Sequence, residues 1–225
     1  MNPLQSIYVL LFLYSLLLGL CWWVWKRKSD KITSVAVTNG YWGLLHLRHA
    51  AGIFIMFPLS AFLLPGLPLQ LLRIPDTVSG FQALAILLTA LIILVFVSKE
   101  KKPDEYKTSN RFQGARYQII VHIILRTIFL VSYEWFFRGC LLSVCISEWG
   151  LVPAIIINLS LYALIHSFNG KKEWLGSVPF GLVLCVFTIW TQSIWPAIFL
   201  HLLLSSSYES VVLKPYLIKY SKYKS

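Results

Sequence analysis

Charge is scarce in this chain. Only 13% of its 225 residues are Asp, Glu, Lys or Arg, and nine acidic residues face 20 basic ones. No hydrophilic stretch is long enough to fold as a soluble domain; the longest, about residues 99–116, reads as a divider between two groups of apolar segments. There is no repeat period and no low-complexity tract, which leaves out solenoid and array architectures. The alternating apolar and polar segments of a membrane β-barrel are missing as well. The four cysteines, Cys21, Cys140, Cys145 and Cys185, include no CxxC pair. Neither a disulfide framework nor a thiolate metal site is indicated, and packing is their simplest role.

What the chain has in abundance is apolar sequence in long runs. Hydrophobic residues make up 57% of it and the mean hydropathy is +0.70, against roughly 45–50% apolar residues in soluble domains. The runs are about 18 to 28 residues long, enough to cross a hydrocarbon core of roughly 30 Å as helices. Seven are distinguishable, at about 5–25, 42–65, 81–98, 117–146, 150–168, 174–191 and 193–212. Lipid offers no hydrogen bonds to exposed backbone, so segments of this kind are helical. The expected fold is all-α, a polytopic membrane helix bundle of about seven transmembrane helices. Its parts are three N-terminal helices (1–98), a cytoplasmic loop (99–116), a core (117–212) and a basic cytoplasmic tail (213–225).

The basic residues mark the topology. All of them except Arg48, Arg73, Arg126 and Arg138 lie in four segments, which follow the first, third, fifth and seventh runs. Basic residues stay on the cytoplasmic side, so the N-terminus is expected outside and the C-terminus inside, in a bacterial plasma membrane. The net charge of +11 is thus a topological signal. Charges that flank spans form no patch on a folded face, so the expected partner is the lipid bilayer and not nucleic acid. No Lys or Arg precedes the first run, and a basic cluster follows it where a cleavage site would stand. It therefore reads as an anchor, not as a signal peptide, with Trp22, Trp23 and Trp25 as an interfacial belt. His46, Arg48 and His49 open the second run, where interface anchoring is the simplest expectation.

Ionisable side chains at membrane depth are costly unless paired, and each raises a functional question. Run four carries His122, Arg126, Glu134 and Arg138, run five carries His166, and run seven carries His201, Ser205 and Glu209. Glu134 and Arg138 are i, i+4 neighbours and can form an ion pair; Arg126 extends the same stripe, with Tyr133 one residue round from it. His166 has Tyr162 one turn before it. His201, Ser205 and Glu209 share a face. Each alone has a structural explanation. Together they suit hydrolysis in a sheltered cavity, by one of two routes. Glu134, His166 and His201 could hold a divalent metal such as zinc. Alternatively, with no cofactor, the carboxylate could act as base on a water while imidazole stabilises an oxyanion. A proton-coupled transporter would also use Glu and His, but the two ends of the chain share no pattern of the paired halves common in transporters.

The motifs "YEWFFRG", "YALIHSF" and "SIWPAIFLHLLLS" resemble, in order and spacing, the three motifs of the CAAX-protease and bacteriocin-processing family of intramembrane proteases (CPBP, or Abi), over about residues 115–212. The resemblance implies a membrane-associated or lipidated peptide or protein as substrate. It also implies water activation by a motif-one glutamate with His166, and an oxyanion site at the third motif, His201 and Ser205. Two positions depart from the family pattern. Tyr133 stands where the first of two glutamates is expected, leaving Glu134 in the second place. Ser205 stands where Asn or Asp is expected. An ordinary phenol titrates near pH 10 and is a poor base. Either Glu134 has taken over as base with Arg138 orienting it, or the chain is a non-catalytic member that binds peptide, as in bacteriocin self-immunity.

Overall fold

The computed structural model describes residues 2–27, 41–64, 69–75, 77–99 and 115–222. Most of the loop expected at 99–116 and of the basic cluster after the first run lies outside these residues, as do residues 223–225. The described residues form seven long helices and no strand. We number them α1 (Pro3–Arg27), α2 (Trp42–Leu63), α3 (Gly80–Ser98), α4 (Ala115–Glu134, continued by Trp135–Leu141 and Leu142–Trp149), α5 (Leu151–His166), α6 (Lys171–Thr191) and α7 (Trp195–Lys222).

Six of them, α1 to α6, are long and apolar enough to cross a membrane. The protein is a multi-pass membrane protein. α7 carries more polar residues in its first half: His201, three consecutive serines and Glu209. Its backbone stays helical through Lys222, so part of the expected basic tail continues the helix.

The helix boundaries have local causes. α3 begins at Ser79, whose hydroxyl accepts from the Gln82 amide while Gln82 caps the Ser79 amide in return, satisfying two orphan donors. Gly150 (φ 82°) and Gly170 (φ 105°) separate α4 from α5 and α5 from α6 with a backbone that a side chain would strain. The start of α7 is tied to a short segment after α2. The Ile194 amide donates to the Leu71 carbonyl (3.0 Å), Trp195 Nε1 to that of Leu72 (2.7 Å) and the Ser193 hydroxyl to that of Arg73 (3.0 Å).

Two stretches depart from α-helical hydrogen bonding. Ile55–Leu59 of α2, containing Pro58, and Trp135–Leu141 of α4 are π-helical turns, and they are joined where Trp135 Nε1 donates to the Ser60 hydroxyl (3.2 Å). π-turns are uncommon and gather at functional sites. The core lies around the second of them: Phe136, Phe137, Cys140, Leu141 and Leu142 are buried against Leu10, Leu13 and Leu17 of α1. All four cysteines are free and buried, in keeping with packing. α3, by contrast, leaves Phe81, Leu87, Leu91, Ile92 and Phe96 exposed, a face suited to lipid.

Candidate active site

The antiparallel contact between α4 and α7 carries most of the polar chemistry. Glu134 meets His201, Arg126 meets Ser205 and Glu209, and His122 meets Glu209. Each step along α4 is matched by a reverse step along α7, so the pairs form two clusters on one seam.

The inner cluster is built on the π-turn. Glu134 closes the α-helical part of α4, and its side chain is wholly buried. Its Oε1 accepts from His201 Nδ1 (2.5 Å) and its Oε2 lies 3.3 Å from Arg138 Nε. The expected i, i+4 ion pair is therefore present. Arg138 is held further by the Tyr162 ring, 4.2 Å from its guanidinium carbon, and by the Gly181 carbonyl, 3.4 Å from Nη2. Cation–π contact favours a guanidinium in this place, and its weak hydration makes its burial less costly than that of an ammonium. Asn158 was not singled out by the sequence; it donates Nδ2 to the Phe137 carbonyl (2.7 Å), serving a backbone group of the π-turn. The signal available was a lone amide in the apolar run "AIIINLSLY".

His166 and His201 lie on two sides of Tyr133, whose ring centre is 6.2 Å from the first imidazole and 5.9 Å from the second. Tyr162 packs on His166 at 4.4 Å. His166 Nδ1 lies 2.9 Å from the Tyr162 carbonyl. A carbonyl only accepts, so Nδ1 carries the proton and Nε2 the lone pair. The same logic assigns His201: its Nδ1–H faces a carboxylate oxygen, which leaves Nε2 as the basic atom. Four buried polar atoms here have no hydrogen-bond partner: Tyr133 Oη, Glu134 Oε2, and Arg138 Nε and Nη1, of which Oε2 and Nε face each other as the ion pair. Buried polar groups are nearly always paired, so this concentration marks a site with capacity for a reactant.

Ser205 is not gathered with the histidines; its hydroxyl accepts from Arg126 Nε (2.7 Å), one helical turn from His201. On both imidazoles Nδ1 is occupied, that of His201 by Glu134 and that of His166 by a backbone carbonyl, which leaves Nε2 as the outward atom of each. Among the described residues no group of three His, Cys, Asp or Glu side chains is arranged to hold a metal ion. Glu134, His166 and His201 thus do not fit zinc as a ligand set.

The outer cluster joins His122 Nε2 to Glu209 Oε2 (3.1 Å) and Arg126 Nε to Glu209 Oε1 (3.2 Å). Here His49 differs from the interfacial role expected of it: it is buried and packs on the rings of His122 (5.4 Å) and Phe129 (5.1 Å).

Comparison with known proteins bears on the same half of the chain. Residues 111–207 match the model of a protein family described as Rce1-like, type II CAAX prenyl endopeptidase. The match takes in α4, α5, α6 and the first half of α7, and with them all six candidate residues; α1 to α3 lie outside it. Searches of curated proteins and of solved structures returned no match. The segment that builds the Glu134–His201 seam is therefore the part of the chain that is similar to the Rce1-like family of type II CAAX prenyl endopeptidases.

Proposed function

We propose that the protein is an intramembrane endopeptidase that hydrolyses a peptide bond near the C-terminus of a membrane-associated, lipidated substrate. The observation that carries this is the buried Glu134–His201 hydrogen bond beside the unpartnered hydroxyl of Tyr133. A carboxylate on Nδ1 fixes the imidazole tautomer and stabilises the imidazolium that forms when Nε2 takes a proton. His201 is then the general base: water loses a proton to Nε2 as its oxygen attacks the scissile carbonyl carbon, and that proton passes to the leaving amine as the C–N bond breaks. Tyr133 Oη–H donates to the oxyanion. His166, neutral and with Nε2 as acceptor, orients the water. Arg138 balances the charge on Glu134. In this assignment Glu134 acts through His201 and is a positioning residue.

The test is cleavage of a prenylated CAAX peptide by the full chain reconstituted in vesicles. His201→Ala is expected to lower turnover by about 10³-fold or more, the scale of losing a base that acts as part of a unit. A His201→Ala protein as active as wild type would end the proposal.

A second reading is favoured by one observation. Tyr133 fills the position of the family's first glutamate and packs its ring against both imidazoles. A chain in which that phenol simply closes the site binds peptide without cutting it, as an immunity protein does. Wild type without turnover, and Tyr133→Glu with it, is the pattern that reading requires.

A further inference from the structure

The two π-turns meet at one serine. That of α2, Ile55–Leu59, contains Pro58. Proline has no amide hydrogen and its ring crowds the carbonyl four residues back, so it interrupts the helical ladder. Ser60 follows directly and is fully buried. Its hydroxyl lies 2.6 Å from the Met56 carbonyl and 3.1 Å from that of Phe57, and it accepts from Trp135 Nε1 at 3.2 Å. A hydroxyl has one hydrogen and two lone pairs, so Ser60 gives to the backbone of α2 and receives from α4 at once. The rings of Phe57 and Trp135 add an edge-to-face contact at 5.8 Å.

Trp135 opens the π-turn of α4, directly after Glu134, and is buried. Its indole folds back over its own turn: a Cβ added at Gly139 would lie 3.0 Å from Trp135 Cε3. Gly139 directly follows Arg138. The indole therefore bears on α2 through Nε1 and touches its own helix at residue 139. Its two footings in the turn, residues 135 and 139, each adjoin a member of the Glu134–Arg138 pair. A π-turn closes from residue i to i+5, one residue more than an α-turn, and so changes the angle between side chains four apart. The register of this turn sets how Arg138 stands to Glu134. Asn158 serves the turn from α5, at the Phe137 carbonyl; Ser60 serves it from α2.

We propose that Ser60 is a positioning residue. Through Trp135 it holds the turn in the register that lets Glu134 face Arg138 with one oxygen and His201 with the other. α2 lies outside residues 111–207, the part similar to the CAAX endopeptidases. Part of the geometry of the site thus comes from a helix beyond that segment. The effect on turnover rests on the endopeptidase reading above; the aim of Glu134 at His201 does not.

The test compares Ser60→Ala, Trp135→Phe and the Ser60→Ala/Trp135→Phe double variant in the full chain, in phosphatidylcholine nanodiscs. Ser132→Ala is the control. Ser132 is buried too and lies close before Glu134, but its hydroxyl donates to the Ile128 carbonyl of its own helix (2.9 Å). The first readout needs no turnover: the magnetic resonance signal of the His201 Nδ1–H proton in protein labelled with ring-¹⁵N histidine, assigned by its loss in His201→Gln. A proton held on a short bond to a carboxylate resonates far downfield. Ser60→Ala should move it upfield, and Ser132→Ala should leave it in place. The second readout is cleavage of a prenylated CAAX peptide. Ser60→Ala is expected to lower kcat about tenfold with KM within about twofold, the pattern of a loss felt only in the transition state. The double variant should lose no more than Trp135→Phe alone, because the hydroxyl acts through that indole. An unmoved His201 signal in Ser60→Ala overturns the proposal, as does an equal shift in Ser132→Ala or additive losses in the double variant. If the signal moves as expected and no protein, wild type included, cleaves the peptide, the endopeptidase reading fails and Ser60 keeps its role.

Discussion

Tyr133 and Glu134 stand where the resemblance expects two glutamates, and the part each plays can be measured. If the phenol donates to the oxyanion, Tyr133→Phe should lower kcat about 10²- to 10³-fold with little change in KM, as removing one oxyanion donor does elsewhere. An unchanged kcat would take Tyr133 out of the chemistry. Arg138 raises a question of stability. With both side chains wholly buried, Arg138→Gln leaves Glu134 without its cation, and removing one partner of a buried pair costs about 3–5 kcal/mol. Replacing both, as Glu134→Gln/Arg138→Gln, should recover most of that loss, read from thermal midpoints in detergent. A double variant as unstable as the single would mean that the pair itself is not what holds the site. The donor geometry adds a simpler expectation: cleavage should withstand chelators, since His166, His201 and Glu134 form no ligand set. At this scale the sequence showed the local pairings and hid the distant ones. The i, i+4 spacing of Glu134 and Arg138 is legible in any helix. That Glu134 meets His201, 67 positions away, depends on the register of two helices, and apolar sequence does not encode register visibly. Helical spacing and the third motif both place Ser205 with His201, but its contact with Arg126 on another helix is hidden for the same reason.

At the scale of elements, helices are legible because membrane spans announce themselves by length and apolarity. The seven expected runs are the seven observed helices. The π-turns were not legible: a shift in backbone hydrogen-bond register has no hydropathy signature, and "WFFRGCL" reads as ordinary helix. These turns matter because Trp135–Leu141 bridges Glu134 to the core, and its supports come from neighbouring helices. α5 and α6 approach closely at Gly181, where an added Cβ would lie 3.0 Å from Leu159 Cδ2 and 3.1 Å from Tyr162 Cδ1. The same glycine's carbonyl accepts from Arg138. Gly181→Val should therefore displace Tyr162 from Arg138. It should destabilise the chain by about 1–3 kcal/mol, the usual cost of overpacking, and lower activity further than that loss explains. Gly19→Ala is the control, because a Cβ there meets nothing within 4 Å. Equal thermal midpoints and equal activities for the two variants would show that the close approach is incidental.

At the scale of the molecule, the open matter is whether α7 crosses the membrane. Among the described residues six helices, α1 to α6, meet the requirement of length and apolarity; were α7 not to cross, the even number would put both termini on one side. The distribution of Lys and Arg points to an odd number and opposite sides. What reconciles the two is where the polar residues of α7 face. His201, Ser205 and Glu209 are buried against partners on α4, so they do not meet lipid, and the helix is less costly to insert than its composition suggests. Polar residues in spans characteristically face the bundle interior in this way. The expected topology is therefore seven crossings, with the N-terminus outside and the C-terminus in the cytoplasm. In a bacterial host, a C-terminal green fluorescent protein fusion should be fluorescent and a C-terminal alkaline phosphatase fusion inactive, while an N-terminal epitope tag should be reached by antibody once the outer face is exposed. Both termini on the same side would mean that α7 enters and returns without crossing. The seam that joins Glu134 to His201 would then open at a different depth, and a substrate would have to approach it from the other face.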